Sequence, residues 1–382
     1  IRRPPRSTPK PSSAASDVYK RQKKHMIDYK QKMIDLMETA LKQGASDLHI
    51  AVGRHPVLRI NGSLIPLVKE PVLTPEMTES LIKTILTDQQ KEDVLRYKDI
   101  DFSYSLGDLA RFRVAVYFQR QYWAASLRLI PRKIRTIEEL NLPPVIHNFA
   151  KYSQGFVLVV GPAGHGKSTT LAAILDEINH DRLVHIITIE DPIEYLFSQD
   201  RAVIDQREVQ TDTLSFHRAL RSVLRQDPDV IMVGEMRDLE TMSAAVTAAE
   251  TGHLVFSTLH TNSAAQTIDR IIDSFPSAQQ GQIREQLANT LVGIISQRLV
   301  PRIEGGRIPA CEVMFNTSAT RNLIRERKTY QIDLVIETSR EQGMISLNRS
   351  LANLVKAKKI SLEQAEFYSL NPAELRLLLE AD

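Results

Sequence analysis

Residues 161 to 168 read GPAGHGKS, which fits the phosphate-loop pattern G-x-x-x-x-G-K-[ST]. Gly161, Gly164 and Gly166 permit backbone angles that other residues resist. The loop Gly161-Pro162-Ala163-Gly164-His165-Gly166 can therefore turn successive N–H groups toward phosphate oxygens. Lys167 adds a full positive charge, Ser168 a hydroxyl ligand for Mg²⁺, and Thr169 completes the binding set in the first turn of the following helix. The flanks agree: the apolar run Phe156 to Val160 precedes the loop and the helical stretch Thr169 to Leu175 follows it. A helix that starts there adds a partial charge of roughly +0.5 at its N-terminus. The pattern predicts a site for ATP and Mg²⁺.

Hydrolysis needs more than a cradle. It needs an acceptor that orients or deprotonates the attacking water, and an oxygen shell that holds Mg²⁺ against the phosphates. Two apolar stretches run straight into carboxylates, Ile187-Thr188-Ile189-Glu190 and Val230-Ile231-Met232-Val233-Gly234-Glu235. Glu190 and Glu235 are the candidates for those two tasks, Glu235 reaching the metal through water. The competing reading is that each caps the helix after it. A third stretch, Thr251 to Asn262, carries His253 and His260 at opposite ends of a strand. His260, at the ligand-bearing end, could sense the γ-phosphate and is a third catalytic candidate. His253 is a candidate for nucleotide contact or, instead, for fixing its own loop. Neither has metal-ligand company, which argues against a zinc site.

A sheet has to deliver these side chains. After Gln154 the pattern alternates: the phosphate-loop unit, a strand His185 to Glu190, a helix near Thr213 to Arg225, a strand Val230 to Val233, a helix Leu239 to Ala249 and a strand Leu254 to Leu259. That alternation predicts a mostly parallel sheet covered by helices on both faces, with ligands at the C-terminal strand ends. From Ser277 the chain reads as largely helical to Asp382, with a loop at Glu304-Gly305-Gly306.

The first third is strand-rich. A helical repeat through Ile27, Met33, Ile34, Met37 and Leu41 ends at Gly44, and Asn61-Gly62 signals a hairpin. One helix is expected from Thr74 to about Arg96, then strands at Asp101 to Leu106, Arg111 to Gln119 and Trp123 to Ile130. Phe112, Val114, Val116 and Phe118 share one strand face, which places Arg111 and Arg113 on the other. Solvation and a phosphate- or subunit-facing role both stay open for these arginines, with Arg128 as a third candidate. Pro131 to about Gln154 reads as a linker with a short helix.

With 382 residues the chain has room for two domains. Its net charge of +3 is no nucleic-acid signature: residues 1 to 22 hold six basic side chains against Asp17 alone, so the remainder is two charges negative. Those residues are rich in Pro and Ser and lack apolar periodicity. They read as a disordered leader with the look of a cloning scar. The single cysteine, Cys311, excludes an internal disulfide and a four-cysteine zinc site, fits a reducing compartment and reads as a small buried side chain. No stretch approaches the roughly 18 apolar residues that cross a bilayer, so no transmembrane segment is expected and the sequence predicts a soluble protein.

GPAGHGKSTT, ITIEDPIEY, LRQDPDVIMVGEMRD and TGHLVFSTLHTNSA stand in the order and spacing of Walker A, Asp, Walker B and His boxes, and the chain thereby resembles the secretion-superfamily ATPases. KQGASDLHIAVGRHPVLRINGSL, ARFRV and ATRNLIRERKTYQI extend the resemblance to the twitching-motility (PilT-like) pilus retraction ATPases. The resemblance implies an α/β fold: a RecA-like P-loop ATPase core, a smaller PAS-like α+β N-terminal domain and a helical C-terminal region. The domains would span residues 23 to 135, 155 to 300 and 301 to 382, with a linker at 136 to 154. It further implies a homohexamer that hydrolyses ATP with Mg²⁺ to retract a type IV pilus. Such a motor is cytoplasmic, peripheral at the inner face of the cytoplasmic membrane, and acts on an inner-membrane pilus platform protein without direct nucleic-acid contact. Glu190 would be the catalytic glutamate, Glu235 the Walker B glutamate, and Arg111, Arg113 and Arg128 the N-domain arginines that approach nucleotide.

Two departures stand out: Ala163 and His165 replace the usual Thr and Ser, and Thr320 replaces an apolar anchor of the C-terminal motif. The alternatives are a pilus assembly or type II secretion ATPase, a nucleic-acid motor and a non-hydrolysing nucleotide-sensing scaffold. One cysteine, the near-neutral charge, and the pair Glu190 and Glu235 argue against these in turn.

Overall fold

The computed structural model describes residues 28–60, 62–107, 109–130 and 133–380. The leader at residues 1 to 22, Ile27 and Asn61 lie outside them. The chain divides after Ile130 into two compact units.

In the first unit, Asp28 caps α1 (Tyr29–Lys42) by accepting from the N–H groups of Lys30 and Gln31. β1 (Asp47–Ala51), β2 (Val57–Ile60) and β3 (Ser63–Pro66) follow, then α2 (Pro75–Lys83) and α3 (Asp88–Tyr97). The single helix expected from Thr74 to about Arg96 is two helices. Thr87 and Gln90 bond each other's backbone in a reciprocal capping box, which starts a new helix at Asp88. β4 (Asp99–Leu106), β5 (Ala110–Gln119) and β6 (Tyr122–Ile130) complete an antiparallel sheet of order β3-β2-β1-β6-β5-β4. Phe112, Val114 and Val116 bury with Met33, Leu36 and Met37 of α1 and Leu81 and Ile82 of α2, which leaves the arginines of β5 on the opposite face.

In the second unit the stretch expected as a linker is packed: Ile146 and Phe149 are fully buried, and Phe149 stacks on Phe315 at 4.8 Å between ring centroids. The short helix α4 (His147–Ala150) lies in this stretch. The predicted alternation follows as β7 (Gly155–Val160), α5 (Lys167–Asp181), β8 (His185–Glu190), β9 (Val203–Glu208), α6 (Phe216–Val223), β10 (Val230–Val233), α7 (Leu239–Glu250), β11 (Leu254–Leu259), α8 (Ala264–Asp273) and α9 (Gln280–Thr290).

The largely helical reading beyond Ser277 is corrected at one place. β12 (Leu291–Pro301) and β13 (Arg307–Phe315) form an antiparallel hairpin, its turn carrying Gly305 and Gly306 at φ 90° and 75°. β12 pairs parallel with β7, so the strand before the phosphate loop is not a sheet edge. The sheet of the second unit has the order β13-β12-β7-β11-β10-β8-β9 and runs past residue 300. β7, β10 and β11 are buried at every position, as strands covered on both faces must be.

Five helices close the chain: α10 (Ser318–Arg325), α11 (Ile332–Thr338), α12 (Leu347–Lys356), α13 (Leu362–Tyr368) and α14 (Pro372–Glu380), counted among the described residues. Leu347, Leu351 and Leu375 share a separate small core with Val300 and Ile308 of the hairpin. Cys311 is fully buried, and burial pushes its thiol up to about 12, so it is no nucleophile. No described helix is long and apolar enough to cross a membrane.

Candidate active site

The turn from β7 into α5 is built on glycine backbone: φ is 143° at Gly161, 76° at Gly164 and 83° at Gly166. At Gly161 even the space for a side chain is missing, because a Cβ there would collide with the carbonyl oxygen of Gln297. α5 begins at Lys167, so its unpaired N–H groups and positive end face the loop. Lys167 is buried and donates from Nζ to the carbonyls of Gly161 at 2.9 Å and Pro162 at 3.0 Å. Ser168 is half-buried in the first turn, and Thr169 Oγ1 lies 2.8 Å from the Tyr195 hydroxyl.

Ala163 is exposed, and the His165 side chain leaves the loop for β12, where Nδ1 accepts from the Leu299 N–H at 3.0 Å. Burial, then the charges of Arg298, Lys167 and Arg307, hold the His165 imidazole below its usual pKa, which keeps that nitrogen free to accept. Beside the loop a cavity of about 310 Å³ is lined by Arg135, Asn141, Thr169, Arg302 and Arg307.

β7, β11, β10 and β8 are parallel neighbours in continuous register, so the segments after them emerge on one edge. That edge collects Lys167, His260, Glu235 and Glu190. His260 Nδ1 lies 3.4 Å from Lys167 Nζ, and its Nε2 lies 3.6 Å from Glu235 Oε2. The Lys167 ammonium can only donate, so His260 Nδ1 accepts from it and Nε2 is the nitrogen that donates toward Glu235. Arg237 binds the other oxygen of Glu235 at 2.6 Å. Burial lowers the pKa of Lys167, while the carboxylates of Glu235 and Glu194 oppose the shift.

Glu190 is buried, and burial pushes its carboxyl up to about 7. It does so against three donors: Thr188 Oγ1 at 2.7 Å, the Glu194 N–H at 3.2 Å and Gln206 Nε2 at 3.2 Å. A carboxylate oriented from three sides and poised near neutrality has the properties of a general base. Thr188, Gln206, Tyr195 and Gln297 were given no role by the motifs, although Thr188 and Tyr195 stand within ITIEDPIEY. Thr188 could have been found, two residues before Glu190 on the same strand face. Gln206 sits on β9 and Gln297 on β12, and only the fold brings them in.

The structure corrects the placement of His253 among the nucleotide contacts. It stands at the far end of β11, 6 residues of extended chain away, which is roughly 20 Å at the rise of a strand. There its Nδ1 lies 2.9 Å from the Ala248 carbonyl oxygen, so it closes the turn between α7 and β11. On the first unit Arg113 and Arg128 face each other across the β5–β6 ladder. Arg128 Nε donates to Asp47 at 2.9 Å and Arg113 Nε to Asp101 at 3.1 Å, with Arg111 on the same strand face. Thr320, the polar substitute in the C-terminal motif, is fully buried but satisfied: its hydroxyl donates to the Thr317 carbonyl at 2.9 Å.

A family model described as "Type II/IV secretion system protein" matches residues 22–366. The chain is 47% identical over 331 residues to the type IV pilus retractation ATPase PilT of Pseudomonas aeruginosa, spanning 87% of this chain and 96% of that one. It is 43% identical over 311 residues to a twitching motility protein of Neisseria gonorrhoeae, spanning 81% and 83%. Among solved structures, the pilus retraction motor PilT with bound ADP matches with a TM-score of 0.84 at 45% identity, over 90% of this chain and 98% of that one. The chain therefore belongs to the type II/IV secretion ATPases and, within them, to the type IV pilus retraction ATPases of twitching motility.

Proposed function

We propose that this chain hydrolyses ATP with Mg²⁺, works as a ring of six copies at the inner face of the cytoplasmic membrane, and powers type IV pilus retraction. The observation that carries the reading is the meeting of Lys167, Glu190, Glu235 and His260 at one edge of a parallel sheet, above a glycine loop at a helix N-terminus. The ADP in the related retraction motor supports placing nucleotide on that loop.

The geometry supports the following roles. Lys167 neutralises charge on the transferred phosphoryl group. Ionised Glu190 takes the proton of the attacking water. His260, bridging Lys167 and Glu235, registers the γ-phosphate. Ser168 Oγ and, through water, Glu235 would hold Mg²⁺, as oxygen donors suited to a hard cation that neutralises phosphate charge. Arg111, Arg113 and Arg128 present cations from the N-terminal unit, which ends at Ile130, toward nucleotide in the assembled ring. The partner that receives the work is a membrane platform protein.

Output leaves through α10. Arg321 and Asn322 are exposed there, whereas Leu323 packs against the core of the second unit, so Arg321 is the cleaner probe. Arg321→Ala is expected to keep basal ATP hydrolysis within about threefold, since no transition-state contact is removed. It should abolish the spreading zone when the chain complements a retraction-deficient Pseudomonas aeruginosa strain. Failure of the unmodified chain to restore twitching would sink the retraction reading, and full twitching by Arg321→Ala would remove α10 from the output path.

A further inference from the structure

β12 flanks the phosphate loop, and its residues alternate between two tasks. Ser296 Oγ donates to the Asn262 carbonyl at 2.9 Å and the Arg298 guanidinium to Asn262 Oδ1 at 3.3 Å, so these two hold the segment that follows His260. Gln297 points the other way, is 2% exposed, and spends both ends of its amide on the loop. Its Oε1 accepts from Thr170 Oγ1 at 2.6 Å, and its Nε2 donates to the His165 carbonyl at 2.9 Å. Its own carbonyl lies against Gly161, and its Nε2 would stand 2.9 Å from a Cβ on Gly166. One residue thus touches the start of the loop, its apex and the first turn of α5.

The His165 carbonyl and the Gly166 N–H belong to one planar peptide and point in opposite directions. Holding the carbonyl on Gln297 therefore turns the Gly166 N–H away from β12 and into the loop. A loop with three positive-φ glycines is costly to order, and a donor that fixes it beforehand lowers what phosphate binding must supply.

We propose that Gln297 is a positioning residue for the phosphate loop, setting its N–H groups for the β- and γ-phosphates through Thr170 and the His165 carbonyl. The proposal rests on the reading of this loop as the ATP site.

The test is calorimetric titration of the full chain with ADP and with inorganic pyrophosphate, alongside ATPase kcat and KM and thermal melting. Gln297→Met keeps the volume and loses both hydrogen bonds. It should bind ADP and pyrophosphate about tenfold more weakly, with KM rising more than kcat falls. Thr170→Val, which removes only the hydroxyl, should lose about threefold, and the double variant should be no worse than Gln297→Met alone, because the two act through one network.

Unchanged affinity of folded Gln297→Met for both ligands overturns the proposal, whatever its melting temperature; so does simple addition of the two losses. Should Gln297→Met not fold, unchanged ligand affinity of Thr170→Val overturns it. An unmodified chain that binds neither ligand would overturn the ATP site itself.

Discussion

Lys167→Ala is expected to reduce ATP turnover by on the order of 10³ or more, the scale on which a single charge matters at a transferring phosphoryl group. Lys167 Nζ is held inside the loop by two of its carbonyls, whereas Arg237 is committed to Glu235 at 2.6 Å and Arg307 reaches the Gly164 carbonyl from the exposed side at 3.4 Å. The lysine is also a link in a chain of contacts, Lys167 to His260 to Glu235, so its removal leaves His260 Nδ1 without its donor. Steady-state phosphate release at saturating ATP measures the loss, with thermal melting to confirm a folded protein. Turnover within tenfold of the unmodified chain would show that the loop does not hold the transferred phosphate.

The phosphate loop and the three strand-end residues were legible because their geometry is local. A glycine loop between an apolar strand and a helix has one stable arrangement, and parallel strands of similar length deliver their C-terminal residues to one edge. Glu190, Glu235 and His260 each follow an apolar run, so their convergence needed only the alternation of strands and helices. His253 shows the limit of the same logic. It was marked by the same segment, yet a strand has two ends, and residue type alone does not say which one serves the site.

What escaped is non-local or subtle in pattern. The β12–β13 hairpin was read as helix because its first stretch, Leu291 to Ile295, is apolar on both faces, and an apolar run without alternation does not distinguish a buried strand from a buried helix. Its β-branched Val292, Ile294, Ile295 and Val300 were the available signal. The missed break after Lys83 had one too, the capping pair Thr87 and Gln90. No such signal exists for Gln297. Its importance comes from β12 pairing with β7, a contact between segments more than 130 residues apart in sequence.

Glu190→Gln is expected to slow the chemical step by on the order of 10² to 10³ while ATP still binds, because an amide cannot accept the proton of the attacking water. Two pH experiments isolate the cause. In the unmodified chain the base must be ionised, and burial has raised it to about 7, so kcat/KM should rise with pH through about 7 and then level off. The residual activity of the variant should lack that limb. Stability carries the complementary sign. A carboxyl whose folded pKa is raised binds its proton more tightly folded than unfolded. Its stabilising contribution is complete below the ordinary value of 4.5 and is lost as pH rises through about 7. Above that pH the native fold holds a buried carboxylate at a cost of at most about 3 kcal/mol, which the neutral amide avoids. Glu190→Gln should therefore melt at a higher temperature than the unmodified chain at pH 8, with the gap closing toward pH 5. A variant that melts lower at pH 8, or that loses ATP affinity while each bound ATP turns over normally, would make Glu190 a structural or binding residue and leave the attacking water without its base.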